Sequence, residues 1–525
     1  MFFTTYLLFI LSISFVNALV NIKPDGVYFR APHRKHIKMP YSCHDPEFCM
    51  HPTDNSTALD EMEWPARIKD YVHCMDLLCQ CGAFNGTVKD FKCILPNGKV
   101  LHKALRKEFR QLTLEERLTY VEILNQLHRE GTLNYIGLLH KTAGVHSGPA
   151  FFPWHREFFK RTELLIRTYN PEAAIPYWDS TLDNYLPQPY NSTLFTFELL
   201  GEPGIRGYVY DTVFTNWTTM DGRPTWYRSF GREPDGELIN NNRIDYVMNQ
   251  TDIHYVLAYS LPLIGCKNYT LDERFLEYSH DYVHYFISGD MQDRITSSND
   301  PIFFLHHSFV DSIWEAWRQK KQTKEQREND WPTDDLECAP AWHFKEAEMP
   351  LLKPFKNKDA LSSKYTENLF EYAPRPSCLS KTEECGSIYL FCDPITTPSD
   401  PHCVAKVKLQ GNCTGFEWSS DVCLHGKCIE GICKPIVDNI GDVIPNPFPK
   451  PPEFLVSAKE EIRGKKIEVK EEKKKEKEEN NAVKEENSET KELKEEEKSQ
   501  KSSNEELKIV RPKQKKIVTK TSRFM

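Results

Sequence analysis

Seven of the chain's eighteen histidines fall in two short stretches, HKTAGVHSGPAFFPWH from His140 to His155 and HDYVH…NDPIFFLHH from His280 to His307. Imidazole is a ligand that copper, zinc, iron and nickel share, so this clustering points to a metal centre. Neither stretch contains a cysteine, and the HExxH pattern of zinc proteases is absent. The acidic residues in and beside them (Glu157, Asp281, Asp290, Asp293 and Asp300) do not repeat as the carboxylates of a di-iron bundle would. An all-nitrogen donor set built for two metals favours copper, and with it chemistry on oxygen.

Such ligands need elements to aim them. Four residues along a helix rise about 6 Å and return to the same face, so His280 and His284 project together. His306 and His307 are adjacent and cannot both face one way; one serves the metal and the other packs. Asp311 follows His307 by one turn and is expected to accept a hydrogen bond from that histidine's second nitrogen. In the first stretch Pro153 suits the opening turn of a helix carrying His155. His140 closes an earlier helix, and His146 sits on the loop between. His33, His36, His44, His51, His73, His102, His128, His254, His343, His402 and His425 read as ordinary core or surface histidines.

Helical spacing runs through VLHKALRKEFRQLTLEERLTYVEILNQLHREG, with Thr113 as a start signal and Gly131 as a stop. LNYIGLLHKTA, WHREFFKRTELLIRTY, DERFLEYSHDYVHYFI and PIFFLHHSFVDSIWEAWRQKK continue it, joined by long Pro-, Gly- and Asn-rich connections. The predicted fold is mainly α: a four-helix-bundle core at the metals with long loops, flanked by small disulfide-rich modules and a disordered C-terminal tail.

The rest of the 525 residues support that organisation. Residues 1–18, MFFTTYLLFILSISFVNA, read as a secretory signal, and no later segment approaches the ~20 apolar residues of a membrane span. Six cysteines lie in Cys43–Cys93 and eight in Cys378–Cys433, with Cys266 and Cys338 between; even counts in an exported chain read as disulfides rather than a zinc ribbon. Seven N-x-S/T sequons, at Asn55, Asn85, Asn191, Asn216, Asn249, Asn268 and Asn412, agree with export. The predicted division is an N-terminal Cys-rich region over 19–99, the metal domain over 100–376 and a C-terminal Cys-rich module over 377–436. A Pro-rich linker over 437–458 and a Lys/Glu-rich tail over 459–525 follow; the tail's composition cannot support a core. A net charge of -9 argues against a nucleic-acid partner.

The strings HSGPAFFPWHREFFKR, IPYWDS and NDPIFFLHHSFVDSIWEAW closely resemble the copper-binding signatures of tyrosinases, the type 3 copper proteins that also include catechol oxidases and haemocyanins. The resemblance covers about Val100 to Pro376. It implies one copper ion on His140, His146 and His155 and a second on His280, His284 and His307, the family preferring the second of the vicinal pair. Phe370-Glu-Tyr372 resembles the Tyr-x-Tyr element that closes the family's catalytic domain. The run CGSIYLFC…HCVAKVKLQGNCTGFE…C looks most like secreted molluscan tyrosinases of shell-forming tissue. The implied activity is oxidation of mono- or o-diphenols such as tyrosine, dopa or catechols to o-quinones with O2. The implied setting is an extracellular or shell matrix whose proteins the quinones crosslink or pigment. Phe151, Phe152, Trp154, Phe303 and Phe304 are candidates for an apolar wall.

Three positions depart from the family pattern. Gly144 stands where many members carry a cysteine joined by a thioether to the second ligand. Asp281 stands where hydroxylating members often carry Asn, which with a Glu orients a water that deprotonates phenols. Arg294 falls near a position that gates substrate, where a cation would narrow the entrance or attract carboxylated phenols. Two other functions share the ligands: a haemocyanin-like oxygen carrier, and a structural matrix protein with a vestigial site.

Overall fold

The computed structural model describes residues 62–215, 217–263, 265–267, 269–379, 385–396 and 400–436. The proposed leader 1–18, residues 19–61 of the N-terminal region with Cys43, Cys49 and Asn55, the sequons at Asn216 and Asn268, the linker 437–458 and the tail 459–525 lie outside them.

Helix α1 (Leu114–Arg129) opens on a reciprocal cap. The Thr113 hydroxyl accepts from Glu116 N–H while the Glu116 carboxylate accepts from Thr113 N–H. Such a cap is worth about 1 kcal/mol. Gly131, at φ +72°, turns the chain into α2 (Thr132–Ala143). Then come α3 (Phe151–Arg167), α4 (Asn241–Asn249), α5 (Leu276–Ile287) and α6 (Ile302–Lys321). Four of these, α2, α3, α5 and α6, carry the expected helical core. Helix α4 was not foreseen. It is capped by the Asn240 side chain and spans only 9 residues, so its apolar signal in the sequence is short.

Every side chain of α3 is buried, including Arg156, Glu157, Lys160, Arg161, Glu163 and Arg167. Burying charge is tolerable only with partners. Arg156 pairs with Asp311 at 2.8 Å and Glu315 at 2.9 Å, Glu157 with Arg161 at 2.6 Å and Lys160 at 3.0 Å, and Glu163 with Arg106 at 3.0 Å. The charged side of this helix is therefore a second interior surface.

Among the described residues sheet structure is confined to short pairs. A hairpin, β1 (Thr87–Lys89) and β2 (Lys92–Ile94), precedes the helices. Strand β3 (Ala104–Arg106) runs parallel to β4 (Phe370–Tyr372), joining the two ends of the core, and Ala373 N–H extends the ladder to the Arg106 carbonyl. Tyr372 accepts from Arg106 at 2.7 Å and donates to Asp311 at 2.6 Å, so the Phe-Glu-Tyr element is fastened to the buried ion pairs.

Beyond it, β5 (Leu390–Asp393) pairs with β6 (His402–Ala405), and β7 (Gly426–Ile429) with β8 (Ile432–Pro435). Four disulfides hold this region: Cys378–Cys392, Cys385–Cys403, Cys413–Cys428 and Cys423–Cys433. Cys74–Cys79 and Cys81–Cys93 staple the N-terminal side, and Cys266–Cys338 joins two long loops. The region rests on the core through Thr193 N–H to the Lys406 carbonyl, Lys408 N–H to the Asn191 carbonyl, and His402 stacked on Tyr185 at 3.9 Å. Among the described residues no helix is long and apolar enough to cross a membrane.

Candidate metal centre

Helix α5 supplies the most regular part of the site. Its i, i+4 pair brings His280 Nε2 and His284 Nε2 to 2.9 Å of each other. The other ring nitrogens are tied back: His284 Nδ1 to the Met291 carbonyl at 2.6 Å and His280 Nδ1 to the Asp281 carboxylate at 3.0 Å. An Nδ1–H donated in this way leaves Nε2 with its lone pair facing the partner.

Either member of the vicinal pair on α6 comes within reach of this helix. A nitrogen of His306 lies within 4.8 Å of those of His280 and His284, and His307 Nε2 is 3.2 Å from His280 Nε2. Orientation separates them. His306 donates Nε2–H to the His280 carbonyl at 3.2 Å and lies parallel to the His280 ring, 5.0 Å away. This hydrogen bond occupies one of the two ring nitrogens of His306. His307 points its Nε2 inward and stacks on His155 at 4.7 Å, between the two histidine groups.

The first group is assembled from three kinds of element: His140 from the last turn of α2, His146 from the loop, and His155 from the second turn of α3. Their ligand nitrogens lie within 4.8 Å of one another, and His140 Nε2 is 3.4 Å from His155 Nε2. His155 Nδ1 bonds to the Phe151 carbonyl at 2.8 Å and His146 Nδ1 to the Gly144 carbonyl at 3.1 Å. The structure thus gathers all six sequence-predicted histidines into two adjoining groups. Six converging imidazole nitrogens with no thiolate or carboxylate among them suit copper.

All of these rings are buried. Burial pushes His155 down to about 3 and His284 to about 4, and it holds His140, His146, His280 and His307 well below the ordinary imidazole value. They are neutral at physiological pH, as metal binding requires. Apolar rings press on them: Phe303 lies 4.8 Å from His140 and 4.4 Å from His307, and Phe151 lies 4.8 Å from His280. Trp154 is 5.0 Å from His155. Phe152 packs instead on Trp314, and Phe304 packs on Phe159 and Phe303.

One expectation fails here. Asp311 does not reach His307; its carboxylate is drawn to Arg156 and Tyr372. Buried cations outbid a neutral imidazole for a carboxylate. Asp281 orients His280, and burial together with the nearby Glu277 carboxylate holds its own carboxyl well above the usual range. Arg294 is half-buried beside the first group, its charge felt by His140 and His146.

Two buried residues near the site were not foreseen. Glu277 accepts from Ser147 N–H and from the Ser260 hydroxyl, and burial pushes its carboxyl up to about 8. An acidic residue inside the apolar run FLEYSH was the available signal. His343 packs against Gly148 and hydrogen-bonds to the His146 main chain. It lies nearly two hundred residues away, and no local pattern marks it.

Residues 119–320 match the family profile described as the common central domain of tyrosinase. The tyrosinase-like protein tyr-3 of Caenorhabditis elegans is 40% identical over 390 residues, covering 74% of this chain and 54% of that protein. Tyrosinase-like protein 1 of the mollusc Margaritifera margaritifera is 28% identical over 321 residues, covering 57% and 61%. The chain therefore spans less than two thirds of either relative. Among solved structures, a polyphenol oxidase from Thermothelomyces thermophila is similar at 17% identity, with 60% of this chain and 100% of that one covered and a TM-score of 0.40. Residues 119–320 therefore match the common central domain of tyrosinase, and the chain is similar to tyrosinase-like proteins over a longer stretch.

Proposed function

We propose that the protein is a secreted phenol oxidase of tyrosinase or catechol oxidase type, with one copper ion on His140, His146 and His155 and one on His280, His284 and His307. The observation that carries this reading is the adjacency of two buried, all-imidazole groups, bridged by the His155–His307 stack. When bound, the copper pair supplies the reduction of O2 and the oxidising power that converts phenols to o-quinones. The chain's part is to hold six neutral donors away from water, packed against Phe151 and Phe303.

Arg294 is assigned to the entrance, where it favours phenols carrying a carboxylate, such as tyrosine and dopa. Domain limits of 100–376 for the copper domain and 377–436 for the C-terminal module are part of the same reading. Export is supported by the seven disulfides among the described residues and by the exposed sequons Asn85 and Asn249. Matrix proteins are the natural acceptors of quinones made outside the cell.

The test is copper analysis of the purified full chain followed by assays on tyrosine, dopa and catechol. Two copper ions per chain with quinone formation is the expected result. Reversible O2 binding without turnover would instead indicate a carrier, in line with the 26% identity over 242 residues to an octopus haemocyanin. A copper content near zero would leave only a structural role.

A further inference from the structure

His146 is the one proposed ligand carried by a loop, and the path of that loop is unusual. Ser147 has φ +76°, the left-handed region that non-glycine residues avoid. Such a conformation persists only when its surroundings enforce it. Here both sides of Ser147 are held: its N–H donates to the Glu277 carboxylate of α5, and its carbonyl accepts from Leu261 N–H at 3.4 Å. Ser260, beside Leu261, anchors the other oxygen of the same carboxylate. Glu277 is only 3% exposed, so these hydrogen bonds are shielded from water.

The loop is also held by His343, which is 1% exposed. Its Nδ1 receives Ala150 N–H at 3.4 Å, and its ring hydrogen-bonds to the His146 main chain. A Cβ on Gly148 would lie 2.8 Å from that Nδ1, so the glycine is what lets the ring lie flat on the loop. At position 144, where many tyrosinases carry a cysteine tied to this ligand, a Cβ would fall 2.7 Å from the His140 carbonyl oxygen and 3.0 Å from His146 Cε1. This loop path leaves no room for a side chain there, and so none for that covalent tie.

We propose that Glu277 and His343 are positioning residues that clamp the His146 loop at separate points, holding one copper ligand in place without a crosslink. The proposal rests on His146 being a ligand. Glu277 meets the loop through main-chain N–H groups, so a glutamine, which keeps an acceptor oxygen, should preserve part of the clamp, and an alanine should not.

The experiment loads the full chain with copper, challenges it with a chelator, and follows the copper retained per chain over time, with a thermal melt to confirm folding. Removing groups that orient a ligand typically weakens metal binding about 10–100-fold. Glu277→Ala and His343→Ala should therefore each release one copper about 10–100-fold faster than the parent, with the other retained. Glu277→Gln should fall between, and Ser147→Gly, which keeps both clamps, should match the parent. If Glu277→Ala does not fold, His343→Ala and Glu277→Gln carry the test. His146→Ala separates the two levels: retention of both coppers in that variant defeats the ligand assignment itself. Loss of one copper there, with parental release from Glu277→Ala and His343→Ala, overturns the clamp alone.

Discussion

The two histidine groups reach the same end by different construction. Around α5 and α6 the rings stand on regular helix, and their spacing follows from 3.6 residues per turn. Around α2 and α3 one of the three rings stands on a loop, and its direction depends on residues brought in from Ser260, Glu277 and His343. The helical group could be read from the sequence because its geometry is local. The loop-bearing group depends on distant contacts, and these are what make it vulnerable.

The sharpest way to break this comparison is at the vicinal pair, where one ring touches both groups. His307→Ala should abolish phenol oxidation and lower copper content, whereas His306→Ala should keep copper and lose about 1–3 kcal/mol of stability through a lost buried hydrogen bond and the void left by the ring. Paired copper analysis and denaturation would show it, and the reverse pattern would exchange the roles of the two residues. Next in size is Asp311→Ala, which leaves Arg156 buried without one of its partners. A cost of about 3–5 kcal/mol is expected in chemical denaturation, with both groups loosened equally because α3 and α6 carry parts of each.

Removing the Cys266–Cys338 bridge by double serine substitution should cost about 2–4 kcal/mol. Its loops lead toward Ser260 and His343, so copper on the loop-bearing group should become the more labile of the two. Equal lability would mean that the bridge serves the whole core.

A gentler probe is pH. Glu277 has a folded value of about 8 against an ordinary 4.5, so between these values the folded chain binds more protons than the unfolded one. Stability from this group is fully present below pH 4.5 and declines as pH rises through 8. Metal-free protein should show that slope in its melting temperature, and Glu277→Gln should flatten it; an unchanged slope would place the titration elsewhere. The smallest effect is expected at the entrance. Arg294→Ala should raise KM for dopa about 3–10-fold relative to uncharged catechol at unchanged kcat, in keeping with the loss of a half-buried, partly screened charge contact.

How much was legible follows the range of each interaction. The Thr113 cap, the His280–His284 face and the helix positions of His140 and His155 rest on neighbours within a few turns, and the structure reproduces them. Asp311 went astray because i, i+4 spacing brings a carboxylate near His307 but says nothing of Arg156 and Tyr372 competing for it. The full burial of α3 was hidden for the same reason, since its charged residues look like a solvent face until Arg106, Asp311, Glu315 and Tyr365 are in view. The cysteine regions announced disulfides but not their pairing, which only the folded path decides.

The short ladder between β3 and β4 also sets where this protein could be cut without harm. It zips residue 104 to residue 370 and ends where Ala373 meets Arg106. A protease acting a few residues beyond that point would spare the zip and the Tyr372 contacts. One acting before Phe370 would open the seam under Asp311, so any maturation that trims the C-terminal side has a hard inner boundary there.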